Sequence, residues 1–223
     1  MRRTRSKSLV WQALAATIMI LALATPLSAS ANLKDKPIHI VAYGDSLTAG
    51  YNLPKGDDFA SQLEAALQRA GHNVRIANAG VSGDTTSGGV ARFDWAIPED
   101  AEAVILELGA NDALRGISPA IARRNLETLI VKLKARNIPV LLAGMRALAN
   151  WGTDYAGEFN AIYPELADKH DILLYPFFME GVIDRPDLKL DDALHPNKQG
   201  VAEIVRRISP YAIELLGQVR PKK

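Results

Sequence analysis

From residue 38 onward, apolar runs alternate with helical patterns. Residues 38–43, Ile-His-Ile-Val-Ala-Tyr, form a short apolar run that reads as a buried strand. Residues 57–70 then place Phe59, Leu63, Ala66, Leu67 and Ala70 at helical spacing, with Asp57 or Asp58 to cap the start and Gly71 to end it. A second strand is expected over 74–78 and a helix over 86–95. A third strand follows over 103–108. Ser118 opens a long amphipathic helix with Pro119 in its first position, running to about Arg136. The fourth strand is expected over 139–145, a helix over 155–169, and the fifth strand over 172–175. Residues 176–197 read as irregular, and 198–216 close the chain as a helix.

Strands separated by helices require crossover connections, which are right-handed and give a parallel sheet covered on both faces. The expected fold class is therefore α/β: a three-layer, flavodoxin-like domain with a five-stranded parallel sheet. Ligands in such sheets bind outside the carboxyl ends of the strands, so the loops that follow the strands are where chemistry is sought.

The first residues stand outside this pattern. Arg2, Arg3, Arg5 and Lys7 form a basic head without acids, residues 9–27 are mostly apolar, and Ala29-Ser30-Ala31 supplies a small-residue cleavage site. This is the three-part layout of a secretory signal peptide. The expected organisation is a signal peptide over 1–31 and a single domain over 32–223, periplasmic or secreted, with no stable membrane anchor after cleavage. The leader takes four of the 26 basic residues and none of the 25 acids, so the remaining chain is mildly acidic. No basic patch suggests nucleic-acid binding. The chain has no cysteine, so the fold relies on its core, and lipidation at cysteine and thiol chemistry are excluded.

The strand at 38–43 runs into Gly44-Asp45-Ser46-Leu47-Thr48-Ala49-Gly50-Tyr51. A rigid strand end followed by a glycine-flanked serine can hold a nucleophile at the sheet edge. The second glycine comes four residues after Ser46, so this is not the G-x-S-x-G elbow. Taken alone, the stretch also fits a strand-to-helix turn with a capping serine.

Further blocks extend the picture. Gly44-Asp45-Ser46-Leu47 resembles the first block of the GDSL, or SGNH, hydrolases. Asn78-Ala79-Gly80-Val81-Ser82-Gly83-Asp84-Thr85 resembles the glycine block, Gly109-Ala110-Asn111-Asp112 the asparagine block, and Asp192-Ala193-Leu194-His195-Pro196 the Asp-x-x-His block. The four occur in the family's order and span nearly the whole domain. Within the family the chain is most similar to the small periplasmic thioesterase, lysophospholipase and arylesterase group. The loop Arg146-Ala147-Leu148-Ala149-Asn150-Trp151-Gly152 lacks the proline usual there, which affects one substrate-facing wall.

The resemblance implies a Ser46–His195–Asp192 triad, with Ser46, Gly83 and Asn111 as oxyanion donors. The chemistry of these residue types agrees. A serine needs an adjacent base. Of the four histidines, His39 lies in a strand, His72 follows a helix end and His170 sits near a helix end, leaving His195 in a loop at the expected edge. Asp192, three residues earlier, can orient the ring; Asp191 is its nearest competitor. Gly83 offers an unobstructed backbone N–H and Asn111 a side-chain amide. Asp45 and Asp84 are expected to hold loops. The histidines are too scattered for a metal site, and no cofactor is expected.

Leu114, Ile117, Leu148, Trp151 and Phe178 are candidate substrate contacts, with Gly116 allowing residues 114–117 to act as a flap. Phe177 and Met179 fit either the crevice or the core. The expected partner is a small-molecule or lipid ester, and the expected state a monomer. The leading expectation is a serine esterase acting on aryl, lysophospholipid or thioester acyl groups. A carbohydrate acetyl esterase with the same triad and a non-catalytic periplasmic binding domain are the alternatives.

Overall fold

Five strands carry the core: β1 (Ile38–Gly44), β2 (Val74–Gly80), β3 (Ala103–Glu107), β4 (Val140–Ala143) and β5 (Leu173–Tyr175). All pairs are parallel, and the spatial order is β2-β1-β3-β4-β5. The computed structural model describes residues 36–147 and 149–219. The leader expected over 1–31 lies outside those residues.

The strands read as continuous apolar runs because both faces of the sheet are covered. Ile40, Val41, Ala42 and Tyr43 of β1 and Ala103 to Leu106 of β3 are completely buried. α2 (Phe59–Arg69) and α7 (Lys198–Gln218) pack together, while α3 (Thr86–Ala96), α5 (Pro119–Ala135) and α6 (Thr153–His170) form a second set. Local signals set the boundaries. The Asp58 side chain accepts from the Ser61 N–H at 3.0 Å and caps α2. Pro119 occupies the first turn of α5, where a missing N–H costs nothing. Phe59, Leu63 and Leu67 turn inward, as their spacing predicts.

Two short helices were not visible in the periodicity: α1 (Ser46–Ala49) and α4 (Ala110–Leu114). Four or five residues are too few to display a 3.6-residue repeat. Both begin where a strand ends, and both carry residues of the four blocks.

Strand register prepares the site. Gly44 is level with Gly80 on β2 and with Glu107 on β3. Three adjacent strands therefore stop at one height, and the loops after them emerge side by side. Between β1 and β3 the strand order also reverses direction, which is the position where doubly wound sheets open a crevice. The other histidines stand apart from it. His39 pairs with Asp100, and His170 with Glu127.

Candidate active site

The turn after β1 is capped by Asp45. Its Oδ1 accepts the Leu47 N–H at 3.0 Å. Because aspartate does the capping, the Ser46 hydroxyl is free for another partner. That partner is His195, whose Nε2 lies 2.8 Å from Ser46 Oγ. The two residues are 149 positions apart and meet because the irregular segment before α7 folds back over the end of β1.

Asp192 completes the row. Its Oδ2 lies 2.7 Å from His195 Nδ1, while its Oδ1 accepts the backbone N–H groups of Leu194 and His195 at 2.9 and 3.0 Å. Burial pushes this carboxyl up. The two backbone donors and the His195 ring outweigh that and bring its pKa to about 2. An ionised carboxylate can only accept, so Nδ1 carries the imidazole proton. Nε2 then presents its lone pair to the Ser46 hydroxyl. Asp192, not Asp191, faces the ring. Ala193, between Asp192 and His195, adopts φ of 59°, a left-handed conformation rare for alanine, and this closes the turn.

Asn111 lies in the first turn of α4. Its Nδ2 donates to the Asp84 carbonyl at 2.9 Å and to Asp45 Oδ2 at 3.2 Å. The amide thus bridges the nucleophile turn and the glycine loop. Gly83, next to Asp84, is exposed with φ of 83°, and its carbonyl accepts from Arg115 Nη2 at 2.9 Å. A side chain at that φ would be strained. Asp45 and Asp84 hold loops in the manner the sequence suggests. Asp45 is wholly buried, and burial raises its pKa; the Leu47 N–H, Asn111 and His195 pull it back, leaving it at about 7.

Three supporting groups were not singled out from sequence. Glu107 ends β3 fully buried. Its Oε2 accepts from the Thr48 hydroxyl at 2.7 Å and the Asp45 N–H at 3.2 Å. A β-carbon on Gly44 would collide with both Thr48 Oγ1 and Glu107 Oε2, so the first glycine of the block makes room for this acid. Burial, and then the neighbouring Asp45, hold the Glu107 pKa well above the carboxylate range. The signal was legible: a glutamate inside an otherwise apolar strand. Arg92 donates to Asp84 Oδ2 at 2.6 Å and to the carbonyls of Ala79 and Gly44, both at 2.8 Å. It stands over the Tyr43 ring, 4.0 Å from its centroid. Asp112 accepts both the N–H and the hydroxyl of Thr86, at 2.8 and 2.6 Å, tying α4 to the start of α3.

The expected substrate contacts separate. Leu114 and Trp151 are exposed, and Ile117 is half-buried. Leu148 lies outside the described residues. Phe178 does not line the crevice: it is fully buried, edge-on to Phe59 at 5.0 Å. Its N–H donates to the Gly144 carbonyl at 2.8 Å, which turns the chain after β5 inward and sends the ring into the core. Phe177 and Met179 are also core residues. Residues 114–117 are tied down at several points. Tyr155 donates its hydroxyl to the Ile117 carbonyl at 2.8 Å, Arg115 holds Gly83, and the Trp151 indole lies against Gly116.

Known proteins share this arrangement of chain. The GDSL-like Lipase/Acylhydrolase family matches residues 42–202. An arylesterase from Vibrio mimicus is 38% identical over 183 residues, covering 80% of this chain and 90% of that protein. Thioesterase 1/protease 1/lysophospholipase L1 from Escherichia coli K12 is 38% identical over 160 residues, covering 71% of this chain and 76% of that protein. Among solved structures, AlinE4, an SGNH-hydrolase family esterase, is 49% identical with a TM-score of 0.69, covering 81% of this chain and 97% of that one.

Proposed function

The chain belongs to the GDSL-like lipase/acylhydrolase family and is a carboxylic ester hydrolase, and on that premise we propose that Ser46, His195 and Asp192 perform the hydrolysis as a triad. The observation that carries this reading is the row of contacts from Ser46 Oγ to His195 Nε2 at 2.8 Å and from His195 Nδ1 to Asp192 Oδ2 at 2.7 Å.

In the first step the Ser46 proton passes to His195 Nε2 as Oγ bonds to the acyl carbon, and the carbonyl electrons move onto oxygen. The N–H groups of Ser46, Gly83 and Asn111 receive that oxyanion. For Asn111 this means exchanging its longer bond, the one to Asp45, for one to the oxyanion. Collapse of the intermediate expels the alcohol or thiol, which takes the proton from His195. Water then repeats the sequence on the acyl-enzyme.

The substrate class is read as aryl, lysophospholipid and thioester acyl groups. The names of the relatives support it, as do the exposed apolar side chains of Leu114, at the end of α4, and Trp151, between β4 and α6. The basic head, apolar run and small-residue site at the N-terminus support export to the periplasm or beyond. The enzyme is read as a monomer without cofactor.

The test is labelling with a fluorophosphonate, followed by peptide mapping, together with a substrate panel. The adduct is expected on Ser46. Medium-chain aryl esters and acyl thioesters are expected to turn over faster than acetylated xylan. An adduct on another serine refutes the nucleophile, and a preference for acetyl-xylan moves the enzyme to the carbohydrate esterases.

A further inference from the structure

The triad contacts hold the His195 ring at two points in its own plane. They do nothing to keep it from tilting out of that plane. The ring also sits in an irregular segment, with no strand or helix to stiffen it. Its face is met by Tyr51. The two ring centroids are 4.5 Å apart and the planes are inclined by 36°.

Tyr51 is placed by the nucleophile itself. The Ser46 carbonyl, at the start of α1, accepts the N–H groups of Gly50 and Tyr51 at 3.1 and 3.2 Å. The aromatic ring is thereby fixed relative to the serine that the imidazole must reach. Tyr51 remains 44% exposed, so burial accounts for only part of its position. An exposed aromatic ring over an imidazole offers the negative face of its π system to any charge the imidazole acquires.

We propose that Tyr51 is a positioning residue for the hydrolysis: its ring holds His195 against Ser46 and stabilises the imidazolium formed when the serine proton is transferred. The inference rests on the triad reading. It adds no covalent step. The proton still moves from Ser46 Oγ to His195 Nε2, and the ring acts only on the charge that results. Among the described residues, the carboxyl groups that act on His195 are Asp192 on its own segment and Asp45 on the nucleophile turn. Both remain in place when Tyr51 is changed.

The experiment compares rate–pH profiles of the wild type, Tyr51→Leu, Tyr51→Met, Tyr51→Phe, Ser46→Ala and His195→Ala with one soluble aryl ester. Loss of a partly exposed cation–π contact predicts a fall in kcat of about 3- to 10-fold for Leu and Met. It also predicts that their acid limb moves to lower pH, by about 0.3 to 1 unit. Phenylalanine keeps the ring face and is expected to rescue both effects. A residue that merely filled space would lower the rate without moving the acid limb. Folded Leu and Met variants with the wild-type limb, or a Phe variant as impaired as Leu, overturn the role of Tyr51. Should Ser46→Ala or His195→Ala keep wild-type activity, the triad reading falls, and this inference with it. Dead Ser46 and His195 variants beside a wild-type-like Tyr51→Leu overturn the Tyr51 inference alone.

Discussion

The backbone N–H of Asp45 donates to the Glu107 carboxyl at 3.2 Å. The residue before the proposed nucleophile is therefore held by an acid buried at the end of the neighbouring strand. Strand register makes this possible, since Gly44 and Glu107 lie level on β1 and β3. Glu107 thus supports the turn that aims Ser46 and takes no part in the chemistry.

That arrangement predicts an unusual pH dependence. The folded-state pKa of Glu107 lies above its unfolded value, because burial and Asp45 both disfavour the charge. Between the two values the folded protein keeps a proton that the unfolded chain has lost, so stability falls as pH rises. Glu107→Gln removes this contribution. Relative to the wild type, the variant should gain about 1.4 kcal/mol per pH unit above about pH 4.5, until the folded-state pKa is reached. Asp45 adds a fall of the same sign up to about pH 7, in both proteins. Urea unfolding between pH 4 and 8 checks this; parallel curves for the two proteins refute it.

For the triad, the pKa of Asp192 near 2 means that it stays ionised across the working range. Protonation of Asp192 should therefore contribute nothing to any loss of activity on acidification down to about pH 4. Ser46→Ala and His195→Ala should each lose most activity, and the double variant should be little worse, because the groups act as a unit. Asp192→Asn should lower kcat by about 10⁴-fold through the wrong tautomer. Asp191→Asn should be mild. A crippled Asp191→Asn with a healthy Asp192→Asn would reverse the assignment.

Oxyanion donors should affect kcat more than KM. Asn111→Ala removes one donor and should cost about 10²- to 10³-fold in kcat. Gly83→Ala should also lose rate, because its φ of 83° strains any side chain. Steady-state kinetics on one aryl ester measures both. An Asn111→Ala enzyme with normal kcat would exclude the amide from the hole.

Arg92 links the ends of β1 and β2 to the glycine loop through three acceptors. Arg92→Leu leaves Asp84 without its partner and should destabilise the fold by about 3–5 kcal/mol. Arg92→Lys keeps the charge but cannot reach all three acceptors with a single ammonium. It should fold, with kcat reduced because the Gly83 loop loosens. Denaturation and kinetics of the two variants separate these effects; a Lys variant with wild-type kcat refutes the positioning part.

The sequence by itself determined the architecture. Apolar runs of strand length alternate with amphipathic stretches, and that pattern has few packing solutions other than a covered parallel sheet. Through the resemblance of its four blocks to the GDSL hydrolases it also pointed to Ser46, Gly83, Asn111, Asp192 and His195. Asp192 and His195 are close enough in the chain for their pairing to be legible from spacing. What tertiary structure decided depends on contacts between residues far apart in sequence. Only the fold brings His195 to Ser46 across 149 positions, sets Glu107 beside Gly44, and runs Arg92 beneath both loops. Tyr51 and Phe178 show the limit most clearly. Both are aromatic residues following a strand, yet one lies against His195 and the other is sealed against Phe59. The direction of each ring is set by which backbone groups hold its turn, the Ser46 carbonyl in one case and the Gly144 carbonyl in the other. The first bond is local to one turn, but where its ring ends up, against His195, is decided only when the segment before α7 folds over the end of β1; the second joins the ends of β4 and β5 and needs the sheet itself.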